Sequence, residues 1–221
     1  MSYDYTRFIP ESVKNLLQQV KDLSEGYDVY LGGGFLRDLY CCVNEWSGDR
    51  VLVDICFEPK DIDLFFVPNG TSTQTLPTLS KSYINYDKKA EDIAEDMAAR
   101  GVASLRGMMI SGLRPTHDVQ FIVYGKEMSI EELAADMDCN INQVMYSLSK
   151  GWYQTEEFIS GHENHTIKLL HTFDEDRMIS RLVRMARKFD DYSVDTDLDW
   201  EAFYNDLEYV PERGGSFCEE D

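Results

Sequence analysis

Asp61 and Asp63 stand two apart in the run Lys60-Asp61-Ile62-Asp63-Leu64-Phe65-Phe66. On a β-strand that spacing puts both carboxylates on one face while Ile62 and Leu64 turn to the core. Two acids side by side repel unless a cation bridges them. Mg²⁺ is the natural bridge, a hard ion that takes a few carboxylates and completes its shell with water or phosphate oxygens. Upstream, Gly32-Gly33-Gly34 precedes Phe35-Leu36-Arg37-Asp38. Glycines there let backbone N–H groups approach a polyphosphate with no Cβ in the way. A cation site beside a phosphate-receiving turn is the equipment of metal-dependent nucleotidyl transfer. The competing reading of Asp-Ile-Asp alone is a half-exposed strand that happens to carry two acids.

Gly33-Gly34-x-x-Arg37-Asp38 followed by Asp61-x-Asp63 resembles the head of class II tRNA nucleotidyltransferases and bacterial poly(A) polymerases, within the DNA polymerase β superfamily. Asp118-Val119, in an apolar run ending Phe121-Ile122-Val123, falls where that family places its third carboxylate strand. Asp138-Cys139-Asn140-Ile141-Asn142 is similar to the family's Arg-Arg-Asp-Phe-Thr-Ile-Asn segment and keeps its Asp, Ile and Asn. Arg181, Arg184 and Arg187, ahead of Phe189, resemble the arginine-rich helix that follows. These segments keep the family's order across residues 28–190. Small phage-borne nucleotidyltransferase-like proteins carry a similar Lys-Asp-Ile-Asp style.

The resemblance implies an α+β fold: a nucleotidyltransferase head, its mixed β-sheet flanked by helices, with a short helical neck. It implies two Mg²⁺ ions held by Asp61, Asp63 and Asp118, with Asp118 serving the ion that activates the attacking hydroxyl. Asp118 as an ordinary strand-edge acid is the alternative. Gly33 and Gly34 would hold the triphosphate, and Arg37 with Asp38 would order that turn. Arg37 could equally be a structural partner of Asp38 or Asp61. Asp138 and Asn142, four apart on what would be a helical turn, would meet the sugar or triphosphate. For the base, two alignments compete. Asp174 with Arg177 keeps the family's acid-x-x-Arg pair, whereas aligning Arg181, Arg184 and Arg187 puts Met178 where the acid belongs. One residue rotates a helix by about 100°, so both sets cannot face one nucleotide.

The chain also departs from the family. Asp136-Met137 replaces the paired arginines before Asp138, which removes positive charge from a phosphate site. The link from Asn44 to Pro59 is longer than usual. Fewer residues follow the arginine helix than the family's helical body and tail would need to hold a tRNA acceptor arm.

Composition bounds these readings. The 221 residues are 43% hydrophobic and 12% aromatic, enough for one large domain or a domain with a small appendage. No run has the length of a membrane span, and the N-terminus lacks a signal-peptide pattern. The five cysteines include no Cys-x-x-Cys pair, which suits reduced thiols and a cytoplasmic location. With 41 acidic against 21 basic residues, the formal charge is −20. A protein gripping RNA along its length needs a basic stripe, so this far field opposes long-RNA binding.

Several elements must position the candidate residues. Pro10-Glu11-Ser12 opens a helix with Val13, Leu16, Leu17, Val20 and Leu23 at helical spacing, ended by Gly26. Asp28–Leu31 is a strand entering the glycine turn, and Phe35–Val43 a helix whose N-terminus overlies it. Val51–Phe57 is expected to form an extra hairpin or strand. Asp61–Val67 is the strand of the paired acids. Residues 69–82 read as a loop. Ala90–Ala99 reads as a helix, and Val102–Ile110 and Val119–Val123 as strands. Ser129-x-x-Glu132 and Thr172-x-x-Glu175 are capping boxes, the second opening the arginine helix. Ile141–Leu148 is expected to start a helix, and Tyr153–Phe158 with Ile167–Leu170 to form a hairpin through Gly161. The expected organisation is a head over 1–150, a neck with hairpin and arginine helix over 151–189, and an acidic C-terminal segment over 190–221. Charge should draw that segment toward the arginines.

The expected activity is transfer of a nucleoside monophosphate, AMP in the leading case, from an NTP to a hydroxyl, with release of pyrophosphate. The acceptor is left open among an RNA 3′ end, a small molecule and a protein side chain, with no membrane partner. The rivals are a tRNA 3′-end repair enzyme with a shortened body and a degenerate module that binds a nucleotide or a protein.

Overall fold

Pro10 offers its carbonyl to the amides of Val13 and Lys14, and helix α1 (Glu11–Asp22) runs from there with Val13, Leu16, Leu17 and Val20 buried. The computed structural model describes residues 3–22, 24, 26–57, 61–70, 102–107, 118–124, 126–170 and 175–201. Gly26, at φ 84°, turns the chain into strand β1 (Tyr27–Gly32). Gly33 then caps helix α2 (Gly34–Glu45), which buries Phe35, Leu36, Leu39, Cys42 and Val43. After Gly32 the backbone therefore reverses into a helix within one residue.

The run Val51–Phe57 is not the expected hairpin or strand but helix α3 (Arg50–Cys56). Asp49 caps it, accepting from the amides of Val51 at 2.9 Å and Leu52 at 3.2 Å. Arg50 pairs with Asp54 one turn later at 2.8 Å. Only Val53 of this helix is buried, while Val51 and Ile55 are each 66% exposed. Much of the apolar run that suggested a strand is on the surface, so local capping decides the conformation.

Strand β2 (Asp61–Pro68) pairs antiparallel with β1 and parallel with β4 (Asp118–Tyr124), which in turn pairs antiparallel with β3 (Val102–Gly107). The capping box at Ser129 and Glu132 forms as expected and opens α4 (Ile130–Ala135). The segment expected to start a helix at Ile141 is instead a 3-10 turn (Asn140–Asn142) followed by strand β5 (Val144–Ser147). Strand β5 lies between β1 and β6 (Gly151–Gln154), and each of its residues is buried. A short strand covered on both faces carries no alternation to distinguish it from a helix. The sheet order is β3-β4-β2-β1-β5-β6.

The expected hairpin through Gly161 is also absent. Thr155 caps helix α5 (Glu156–Glu163), its hydroxyl accepting from the Phe158 amide at 3.0 Å. Gly161 lies inside that helix, where a Cβ would run into the Asn140 side chain. Its role is close packing rather than a turn. Strand β7 (Thr166–Lys168) pairs parallel with β8 (Ser193–Asp195), and helix α6 (Glu175–Lys188) lies between them in sequence. Residues 71–101 and 108–117, the Thr172 capping residue, Phe203, Tyr204 and Cys218 lie outside the described residues, and with them the expected helix at Ala90–Ala99.

Strand β2 sorts the core. Ile62, Leu64 and Phe66 join a cluster with Leu16, Leu17, Leu31, Leu36 and Leu39 beneath α1 and α2. Phe65 and Val67 face the other way, joining Tyr30, Ile122, Leu133 and Met145 beneath α4. A third cluster packs α6 through Leu182 and Met185, with Phe189, onto Cys139, Ile141 and Ile167, with Tyr192, Val194, Leu198 and Trp200 alongside. Part of the acidic segment is thus docked. Asp191 pairs with His165 at 2.8 Å and Asp195 with Lys168 at 3.2 Å, partners other than the expected arginines. Cys41, Cys42 and Cys139 are free thiols, the last two of them buried.

Candidate functional site

Antiparallel pairing brings the end of β1 to the start of β2, with Gly32 opposite Asp63. The glycine turn and the paired acids, separated in sequence, therefore meet at one end of the sheet. Gly33 has φ 67°, and a Cβ on it would stand 2.9 Å from Asp63 Oδ2. Glycine is required twice there, for the positive φ and for the close approach to the carboxylate. Parallel pairing places Asp118 level with Asp61. Among the described residues no three His, Cys, Asp or Glu side chains are grouped closely enough to hold a metal ion. Asp118 enters here by its register position alone.

Asp61 and Asp63 share the face of β2 that carries Phe65 and Val67, at the strand end where the apolar side chains stop. Burial pushes the Asp63 carboxyl up to about 6, and the neighbouring Asp61 and Asp138 charges push the same way. Arg181 and Arg37 act against that rise. Asp63 is therefore a carboxylate short of positive charge, held among named groups from β2, α2, α6 and the segment before Asn142. A divalent cation would supply the missing charge, with Asp61 and Asp63 as the two carboxylates offered to it.

A polar ladder runs beside these acids. Arg37, buried on α2, donates to Asp38 Oδ1 from Nε at 2.8 Å, with Nη2 at 2.7 Å from the same oxygen. Its Nη1 donates to Asn142 Oδ1 at 2.9 Å. The Asn142 amide donates in turn to Asp138 Oδ1 at 3.2 Å, and Arg181 Nη2 lies 2.8 Å from Asp138 Oδ2. Burial works against the Arg37 charge, but the Asp38 carboxylate outweighs it and raises the guanidinium above its ordinary value. Arg181 Nε is buried and has no hydrogen-bond partner among the described residues. That is a leftover donor suited to an anion.

The fold that carries these residues is similar to that of solved CCA-adding enzymes. A complex with ATP matches at TM-score 0.53 and 20% identity, covering 89% of this chain and 43% of that one. The Thermotoga maritima enzyme complexed with tRNA-CCA gives 0.53 and 16%, covering 89% and 44%. The chain has the fold of a nucleotidyltransferase head. A complex with CTP gives 0.52 and 18%, covering 87% and 42%. The chain thus spans less than half the length of these structures. No family model matches the sequence, and a search of curated proteins finds no match.

In this head, Gly33, Gly34, Arg37, Asp38, Asp61, Asp63, Asp138, Asn142 and Arg181 come together. Arg37 is taken up by Asp38 and Asn142, so it supports the turn from within, one of the two roles left open for it. Asn142 is 2% exposed and spent on Arg37 and Asp138. It meets Asp138 across a non-helical turn rather than on one helical face. Arg184 lies on the exposed side of α6. Asp174 and the Arg177 side chain lie outside the described residues. Sequence reasoning missed Lys188, whose Nζ sits 2.7 Å from Asp38 Oδ2. The signal was available, because Lys188 follows Arg181 by seven residues and so shares its face.

Proposed function

We propose that this protein is a Mg²⁺-dependent nucleotidyltransferase that moves a nucleoside monophosphate, AMP in the leading case, from an NTP to a hydroxyl and releases pyrophosphate. The observation that carries the reading is Gly33 folded against the half-buried Asp63 carboxylate, with Asp61 beside it. Asp61, Asp63 and Asp118 would hold the metal, two ions in this reading. When bound, the ions would neutralise charge on the entering and leaving oxygens of an in-line displacement.

The chain's own residues supply the rest. Gly33 and Gly34 offer the triphosphate a backbone without side chains, at the N-terminus of α2. Arg181 contributes its spare Nε–H and its charge next to Asp138. Arg37, Asp38 and Asn142 hold these groups in place. As the acceptor oxygen bonds to the α-phosphorus, the bond to the pyrophosphate oxygen breaks. The acceptor proton would pass toward the carboxylate cluster or to water.

An RNA 3′ end is one acceptor, supported by the likeness to a CCA-adding enzyme complexed with tRNA-CCA. A nucleotide- or protein-binding module without catalysis is the second reading. It is favoured by Asp136-Met137 in place of the family's paired arginines. Incubation with ATP labelled at the α-phosphate, with and without total cell extract, separates these. Label transferred to an extract component only with Mg²⁺ supports the enzyme. Mg²⁺-nucleotide binding without transfer under any acceptor condition supports the module.

A further inference from the structure

Asp38 divides its two oxygens between cations from different elements. Oδ1 receives the buried Arg37 of α2, and Oδ2 receives Lys188 from the last turn of α6 at 2.7 Å. The same stretch of chain supplies the apolar surroundings of Arg37. Met185 Sδ lies 3.5 Å from its Nη1, and its Cζ lies 5.2 Å from the Phe189 ring centre. Two turns earlier on that face, Arg181 clasps Asp138.

On this face, Arg181 and Lys188 therefore fix helix α6 to the head at points about 10 Å apart along its axis. Apolar contacts alone are nondirectional and leave a helix free to roll by part of a residue. Two ion pairs on one face, each facing a carboxylate anchored elsewhere, remove that freedom. Lys188 and Asp38 are 26% and 24% exposed in their side chains, so water screens the pair only in part.

We propose that Lys188 is a positioning residue for the nucleotide: by clasping Asp38 it sets the roll of α6, and so where Arg181 stands beside Asp138 and Asp63. The proposal rests on the nucleotidyltransferase reading for its ligand, but the clasp itself does not. Loss of Lys188 removes the clasp at the C-terminal end of this face and leaves the Arg181–Asp138 pair without it. The helix then samples rolls in which Arg181 no longer meets its carboxylate, and the nucleotide meets a less organised site.

The test uses the full chain carrying Lys188→Met or Lys188→Arg. Hydrogen exchange of the α6 amides, measured without nucleotide, should quicken in the Met variant and stay near wild type in the Arg variant. The dissociation constant and KM for Mg²⁺-ATP should rise about fivefold to tenfold in the Met variant, with kcat within about twofold, as expected for loss of a part-buried pair. The Arg variant should recover most of the affinity. Unchanged exchange together with unchanged affinity in the Met variant overturns the proposal. So does a fall in kcat and thermal stability at constant KM, which marks a purely structural lysine. A wild-type protein that binds no Mg²⁺-nucleotide overturns the functional reading and the nucleotide role together. The exchange measurement, needing no nucleotide, tells that outcome apart from failure of the clasp.

Discussion

Gly33 lies so close over Asp63 that a methyl group on its α-carbon would stand 2.9 Å from Oδ2. Its φ of 67° with ψ of −142° is a backbone open essentially to glycine, and an L-residue adopts it at a cost of about 1–3 kcal/mol. Gly33→Ala should therefore lower stability by roughly that amount and displace the Asp63 carboxylate. Mg²⁺-nucleotide affinity should fall by at least tenfold. Titration calorimetry together with urea unfolding checks both halves, and wild-type affinity in this variant would count against a nucleotide at the turn.

Asp63 ionises less readily in the folded protein, with its pKa near 6 against an ordinary 3.8. Folding thus takes up a proton between those values. The penalty is absent below about pH 4, grows as pH rises through 6, and approaches 3 kcal/mol above it. Asp63→Asn should stabilise the metal-free protein by about 2–3 kcal/mol at pH 8 and change little at pH 4. Mg²⁺ should raise the Tm of wild type and leave the Asp61→Asn, Asp63→Asn double variant unmoved. Equal stabilisation of both by Mg²⁺ would remove the metal from these acids. Transfer activity should be lost in the double variant.

Arg37 is enclosed by Asp38, Asn142, Met185 and Phe189. Removing one partner of a buried ion pair typically costs about 3–5 kcal/mol. Lys188 also serves Asp38, so Arg37→Met should fall toward the lower end, near 3 kcal/mol in urea unfolding. A loss below about 1 kcal/mol would show that Arg37 is not the internal brace described above.

The net charge of −20 bears on the acceptor. Few phosphate contacts give a shallow dependence of log affinity on log salt, with about one unit of slope per contact. Binding to a short RNA 3′ end should show a slope of about −1 to −3 by fluorescence anisotropy. Tight binding of whole tRNA at physiological salt with a steep slope would contradict this reading of the surface.

Asp49 holds the start of α3 through two amides. Asp49→Ala should cost about 1 kcal/mol, as loss of an N-cap usually does. Far-ultraviolet circular dichroism should show a small helical loss. An unchanged unfolding midpoint would mean that α3 is held by tertiary contact alone.

Short-range patterns made much of this head legible. Val13, Leu16, Leu17 and Val20 announced α1, and Ser129 with Glu132 announced α4, because caps and helical spacing are local. The acids of β2 and the glycine turn were visible because their residue types are unusual at that spacing. Their meeting was not visible, since it depends on the Gly32–Asp63 register, a long-range property. Val144–Tyr146 misled because a strand buried on both faces has no period to read. Val51–Phe57 misled because its apolar run outweighed the single cap at Asp49. Arg37 was ambiguous for another reason: a guanidinium suits a phosphate and a carboxylate equally well.

The parallel pairing of β7 with β8 changes how the arginine helix can move. Thr166 pairs with Ser193 and Lys168 with Asp195, so the strands before and after α6 are stitched to each other. A helix with one loose end can swing like a door. One held in a closed loop of chain can only turn on its own axis or come away whole. Motion of the helix would then take the form of small rotations, and deleting the residues after Phe189 would unstitch the loop rather than unveil the arginines. Helix and ribbon should open together as one cooperative unit, losing amide protection at the same denaturant concentration.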